Sequence, residues 1–189
     1  MVKLKRTIAA TAKPVTLDAL KEHLRLPLDF TDEDASLNAI LATACEMVEV
    51  YTQRSFEKST WKAYLDTWPE NGMIVVNKCP LSTIKSFKYF DEENQEKTMV
   101  VDADYMLDDV SEPWGILLLD QPTLKTKPNT ICIEFEAGYE KVPGPIISAI
   151  LLICGYLREY PEDVLTPSVN NMPKAAQWLL RDYRITYRQ

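Results

Sequence analysis

Residues 31–56, TDEDASLNAILATACEMVEVYTQRSF, read as one long amphipathic helix, and a helix that long forces the rest of the chain to pack on it. Leu37, Ile40, Leu41, Ala44, Val48 and Tyr51 fall at steps of three and four and so share one face. The apolar face needs about five turns to carry it. Thr31 followed three residues on by Asp34 predicts a capping box. The acidic run Asp32, Glu33, Asp34 sits where the positive end of the helix dipole favours carboxylates.

A second helix is predicted over about 145–160, opened by Pro143-Gly144-Pro145 and closed by Pro161. Ile146, Ile147, Ile150, Leu151, Ile153 and Leu157 leave it almost no polar face, so it must be enclosed on all sides. Either a β unit covers its second face or a neighbouring subunit does. Ile146, Ile150, Ile153 and Leu157 are the subunit-interface candidates. Short helices are predicted at 17–24, with Thr16 as N-cap, and after Met172-Pro173, with Ala176, Leu179 and Leu180 inward.

Between the long helices the period changes to two. Trp61, Ala63 and Leu65 alternate with Lys62, Tyr64 and Asp66, and Ile131, Ile133 and Phe135 alternate with Cys132, Glu134 and Glu136. Six or seven short strands, broken by turn residues such as Asn71-Gly72, predict an antiparallel β unit over about 58–137. The expected fold class is α+β: a mainly helical core with that unit inserted. Its predicted parts are a flexible arm over 1–13, a helical core over 14–57 and 138–182, the insertion, and a tail over 183–189. A tail combining Tyr183 and Tyr187 with Arg181, Arg184 and Arg188 has interface composition, or is a solvated end.

Charge and cysteines exclude some function classes. A net charge of −7 argues against wrapping nucleic acid or binding an acidic membrane, since both need a basic face. Cys45, Cys79, Cys132 and Cys154 lie far apart with no C-x-x-C pair, and His23 is the single histidine. Reduced thiols are therefore the expectation, with no metal and no cofactor. No signal peptide pattern is present, and the longest apolar run, 146–157, is shorter than the roughly 20 residues a membrane helix needs. The expectation is a soluble protein made in the cytoplasm.

No catalytic motif appears: no G-x-S-x-G, no P-loop, no G-x-G-x-x-G. The carboxylates Asp102, Asp104, Asp108 and Asp109 are the one group that a metal-dependent hydrolase or nuclease would use, although no turn glycine follows at EF-hand spacing. Glu134 and Glu136 read as the wet face of a sheet.

Several segments together resemble the head–tail connector proteins of tailed phages, also called adaptor or head-completion proteins. They are Val15-Thr16-Leu17, Lys21 and Leu24-Arg25, then Val48-Glu49 and Tyr51-Thr52-Gln53-Arg54. Phe135-Glu136-Ala137-Gly138-Tyr139, Val142-Pro143, Ile146 and Ala149-Ile150 continue the pattern, as do Met172-Pro173, Ala176, Leu179-Leu180 and Tyr183-Arg184. The likeness spans roughly residues 14–185. Gln53 stands where the pattern often has glycine. The resemblance implies a non-enzymatic virion part in the neck between head and tail, built as a ring of about twelve copies beneath the portal. Its implied partners are itself, the portal protein and a downstream neck or tail-completion protein. Double-stranded DNA passes through without specific binding, and no membrane is involved. Arg181, Tyr183, Arg184, Tyr187 and Arg188 are the portal-docking candidates. A tail-completion or stopper role is a related alternative.

Overall fold

The structure, a computed structural model, describes residues 2–8, 13–76, 78–108, 110, 113–160 and 172–185. The fold is α+β. Among the described residues helix takes 32% and strand 28%, so the expected predominance of helix gives way to near equality. The chain divides into two compact units: Met1–Thr11 with Glu57–Glu140, and Ala12–Phe56 with Lys141–Gln189.

The first unit is all β among the described residues. Its strands are β1 (Lys3–Ile8), β2 (Ser59–Leu65), β3 (Met73–Val75), β4 (Leu81–Phe90), β5 (Glu96–Thr98), β6 (Tyr105–Asp108), β7 (Gly115–Leu118) and β8 (Ile131–Ala137). They form two antiparallel sheets, β1-β2-β8-β4-β5 and β3-β7-β6. The alternation in β2 and β8 has the expected effect. Trp61, Ala63 and Leu65 pair with Phe135, Ile133 and Ile131, and all six side chains are buried. On the outer face the same strands carry ion pairs, Lys62–Glu134 at 3.2 Å and, from β4, Lys85–Glu136 at 2.8 Å. The second sheet adds Ile74, Tyr105, Ile116 and Leu118 to the same core. Phe87 and Tyr105 join the two sheets at 5.1 Å between ring centroids.

The arm expected over residues 1–13 is corrected: residues 3–8 are an edge strand paired with β2. Val2 and Leu4 pack on the core, and the Arg6 guanidinium lies 4.7 Å from the Trp61 ring centroid. Lys3 meets Asp66 at 2.8 Å. Asp66 also accepts the Asn129 N–H, and these two contacts hold its carboxyl below the ordinary range.

Two glycines are required by the backbone. Gly72 takes φ +68 in the turn before β3, as the Asn71-Gly72 signal predicts. Gly138, at φ +141, leaves β8 directly against the peptide joining Glu57 and Lys58, and any Cβ there would overlap that backbone. Its N–H donates to the Pro80 carbonyl at 2.8 Å.

The second unit is helical: α1 (Leu17–His23), α2 (Asp34–Thr52), α3 (Gly144–Glu159) and α4 (Lys174–Leu180), then a 3-10 turn over Arg181–Tyr183. Thr16 caps α1 through its hydroxyl, which accepts the Ala19 N–H at 3.2 Å. Thr31 does not cap α2. The N-cap is Glu33, without a side-chain cap, because the acidic run is committed elsewhere. Asp34 meets the buried Lys21 ammonium at 2.6 Å, and Glu33 meets Arg158 of α3 at 3.0 Å. Lys21 also donates to the Leu28 carbonyl at 3.2 Å, so its ammonium is partnered in the interior. Helix α3 packs on α2 and on α4. Each large aliphatic it buries contributes about 1.5–3 kcal/mol. The loop expected over 162–171 lies outside the described residues.

Cys79 and Cys154 are buried; Cys45 and Cys132 are partly so, and all four are reduced. Burial, with Cys45 nearby, pushes the Cys154 thiol from 9.0 up to about 12.

Two outcomes are expected. Gly138→Ala should cost about 3 kcal/mol or more, because a Cβ meets fixed backbone at a φ that L-residues avoid. Urea unfolding followed by tryptophan fluorescence would read this, and an unchanged midpoint would contradict it. Unfolded, Cys154 ionises near 9.0; folded, it keeps its proton until about 12. Its contribution to stability is therefore complete below pH 9 and is lost as pH rises towards 12, at about 1.4 kcal/mol per pH unit. Cys154→Ala should flatten the decline in unfolding free energy over that window. Equal slopes for the two proteins would refute the assignment.

Candidate functional site

The residues quoted from the end of the long helix converge on one place. Gln53 takes the left-handed conformation, φ 59 and ψ 25, that a glycine usually supplies after a helix. Its side-chain amide donates back to the Val50 carbonyl at 2.8 Å, which helps hold a non-glycine residue there. Glu49 reaches forward to accept the Phe56 N–H at 3.0 Å. Thr52 donates its hydroxyl to the Val48 carbonyl at 2.7 Å, and its own carbonyl accepts the Ile185 N–H at 3.1 Å. Arg54 is buried, and its Nε donates to the Tyr183 carbonyl at 2.6 Å. The Arg184 guanidinium lies 5.2 Å from the Tyr51 ring centroid. Segment 183–185 is thus fastened to the C-terminal end of α2 by backbone, guanidinium and ring contacts.

The structure divides the portal-docking candidates. Arg181 is exposed at the start of the 3-10 turn, and Tyr183 is half-buried. Arg184 is exposed but stacked on Tyr51. Tyr187 and Arg188 lie outside the described residues. The subunit-interface candidates need correction. Ile146, Ile150 and Ile153 are fully buried and Leu157 is 2% exposed within a single copy. They face the interior of their own unit, where α2 and α4 pack on α3, so they do not present an apolar face to a neighbour. The same helix turns Ile147, Leu151, Leu152 and Tyr156 partly outward.

The acidic cluster is turn chemistry. Asp102 adopts φ 65, and Asp104 accepts the Val100 N–H at 2.7 Å, closing the turn before β6. Asp109 lies outside the described residues. Among the described residues no three His, Cys, Asp or Glu side chains are grouped to hold a metal ion. His23 is exposed at the end of α1. A groove of about 590 Å³ lies between α2 and α3, lined by Leu24, Ser36, Ile40, Leu157 and the Glu33–Arg158 pair. That pair is bidentate, with Arg158 Nε and Nη2 donating to the two Glu33 carboxylate oxygens at 3.1 and 3.3 Å.

Two exposed features escape a reading by motif. Met73, Leu117 and Met106 stand in register across β3, β7 and β6 on the sheet face turned away from the core. Trp178 stands exposed on α4. The first had a signal in the sequence: β7 runs on as Ile116-Leu117-Leu118-Leu119, apolar on both faces, which a half-solvated strand avoids. No helix among the described residues is long and apolar enough to cross a membrane.

Residues 14–108, half of the chain, match the family model described as phage gp6-like head-tail connector protein. No curated protein matches the sequence. Among solved structures, the fold is similar to a chain of the neck of an empty gene transfer agent particle computed with C6 symmetry. The TM-score is 0.80 at 21% identity, over 99% of this chain and 97% of that one. A chain from the virion of the native gene transfer agent particle gives a TM-score of 0.79 at 21% identity, over 98% and 97%. A chain from the native particle's neck computed with C12 symmetry gives 0.76 at 19%, over 99% and 97%. At these identities the likeness establishes the fold.

Arg54 lies within the matched segment and Tyr183 beyond it. Arg54→Ala should remove a charge-assisted hydrogen bond and cost about 2 kcal/mol. It should also release segment 183–185, read as faster tryptic cleavage after Arg184. Cleavage at the wild-type rate would show that Arg54 does not hold the segment.

Proposed function

This chain belongs to the phage gp6-like head–tail connector family, and from that premise we propose that it is a structural component of the virion neck. In this reading about twelve copies close into a ring beneath the portal, extend the DNA channel and present a platform to a downstream neck or tail-completion protein. The observation that carries the reading is the family match. The similar structures, necks computed with C6 and C12 symmetry, agree with a ring.

The chemistry suits the role. A net charge of −7 suits a conduit, because DNA is gripped by Lys and Arg neutralising phosphates. We assign the connector role to the helical parts, residues 14–57 and 138–182, with residues 58–137 and the N-terminal strand as an added β unit. Arg181, Tyr183, Arg184, Tyr187 and Arg188 are assigned to the portal. The fastening of 183–185 to α2 supports that assignment. The protein acts by assembly, and no bond is made or broken.

Mixing the protein with its cognate portal and imaging by electron microscopy tests this. The expected result is a twelve-fold ring capping one end of the portal. A portal that stays bare, or mature particles that lack the chain at the neck, would overturn the reading.

A further inference from the structure

We propose that the outer face of the β3-β7-β6 sheet is the surface on which a second copy of this chain docks, through the Trp178 face of its α4. This rests on the ring reading above and names the contact between neighbours.

The sheet face is apolar where solvent would be expected. Met73 is 37% exposed, Leu117 41%, Met106 48% and, just beyond the strand, Leu119 49%. Pairing sets Met73 opposite Leu117 and Leu117 opposite Met106, so three side chains form a row across all three strands. Gly115 lies beneath the row. A Cβ on it would touch the Met73 sulfur at 3.5 Å and the Asp108 Cβ at 3.6 Å, which puts Asp108 on the same face. The opposite face of this sheet is already used, since Ile74, Ile116 and Leu118 are in the core. Methionines make such a surface soft enough to accept a large ring.

What fits it is argued from charge. Residues 98–124 carry six carboxylates, Asp102, Asp104, Asp108, Asp109, Glu112 and Asp120, and no lysine or arginine. The partner should therefore be apolar at its centre and basic around it. The chain carries such a surface itself. Trp178 is 74% exposed on α4, with Lys174 one turn before it and Arg181 one turn after, both exposed, against one exposed carboxylate, Asp182, beside Arg181. Tryptophan flanked by cations is the composition that dominates binding energy at interfaces. The sheet face and the helix face are different patches of one chain, so the contact is heterologous and repeats from copy to copy. In this arrangement Arg181 passes from the portal set to the neighbouring copy, and Tyr183, Arg184, Tyr187 and Arg188 are left to the portal.

Sedimentation velocity on the full-length protein, from micromolar to millimolar, tests the proposal with Leu117→Lys and Trp178→Ala. Both side chains point outward, and circular dichroism checks that both variants fold. The wild type should associate increasingly with concentration, and less so as salt is raised. Each variant alone should associate at least tenfold more weakly. The equimolar mixture is decisive. Leu117→Lys keeps its helix face and Trp178→Ala keeps its sheet face, so together they should form a one-to-one dimer and nothing larger. A wild type that stays monomeric throughout, a variant that associates like wild type, or a mixture without the dimer would each overturn the proposal. If Leu117→Lys also loses portal binding and the mixture stays monomeric, the face belongs to the portal and the proposal fails. Portal imaging of the wild type is read separately, so loss of this contact and loss of the neck role are distinguishable.

Discussion

Two stretches of backbone meet where the β unit begins and ends, and only a glycine lets them. The chain enters through Glu57-Lys58 and leaves through Gly138, whose hydrogen faces that peptide at a distance no side chain could occupy. The approach sets the register of β2 against β8, because Ser59 pairs with Ala137 immediately inside it. It also lets the Gly138 N–H reach the Pro80 carbonyl, so the entry to β4 is tied to the same point. A unit inserted between two helices must bring its ends together at some cost in chain entropy. Here the ends are adjacent strands, so the ladder of β2 and β8 closes the loop and builds the sheet at once.

In the helical unit the corresponding fixed points are charged. Asp34 and Glu33 are neighbours in sequence but bind different elements, Lys21 of α1 and Arg158 of α3. The beginning of α2 is thereby pinned from two sides. Its end is pinned by Arg54 and Thr52, which hold the chain after α4. Between these ends the apolar face of α2 packs on α3. Ion pairs contribute little net stability where water reaches them, but they select one arrangement among the many that greasy helices would accept. The Lys21 ammonium, 2% exposed, tolerates few alternatives.

Much of this was legible in the residues. The period of 3.6 in α2 and the period of two in β2 and β8 located three elements, because one face of each is buried continuously; α3 was located by its apolar run between Pro143 and Pro161. The first strand was hidden: Val2, Leu4 and Ile8 do alternate, but Lys3, Lys5 and Arg6 between them read as a charged arm. Arg6 takes an inward register position and covers the Trp61 indole, a use of a cation that hydropathy patterning does not see. The capping box at Thr31 misled for the same reason. The carboxylate three residues on had a buried ammonium to satisfy, which is a stronger demand than an exposed N–H. Gln53 was a visible departure from glycine, but that its own amide would help hold the left-handed turn was not visible. At the fastening of 183–185 to α2, the residues of the motif were legible and their partners, far away in sequence, were not.

The contrast between α3 and β7 shows how an excess of apolar surface should be read. Both segments are apolar on all sides, and in both the sequence alone permits a neighbouring copy as the cover. For α3 most of the excess is absorbed within the chain, because α2 and α4 pack on it and bury Ile146, Ile150, Ile153 and Leu157, while Ile147, Leu151, Leu152 and Tyr156 stay half-buried. A sheet strand has only two faces, and its edges are spent on hydrogen bonds. β7 gives one face to the core, and the row through Leu117 on the other is partly open, in a stretch of chain without a single cation to solvate it. Apolar side chains in water are common singly, but three in register across a whole sheet are a surface. The four residues predicted for subunit contact are therefore core residues, and the segment that reads as an ordinary hairpin carries a row of three exposed apolar side chains.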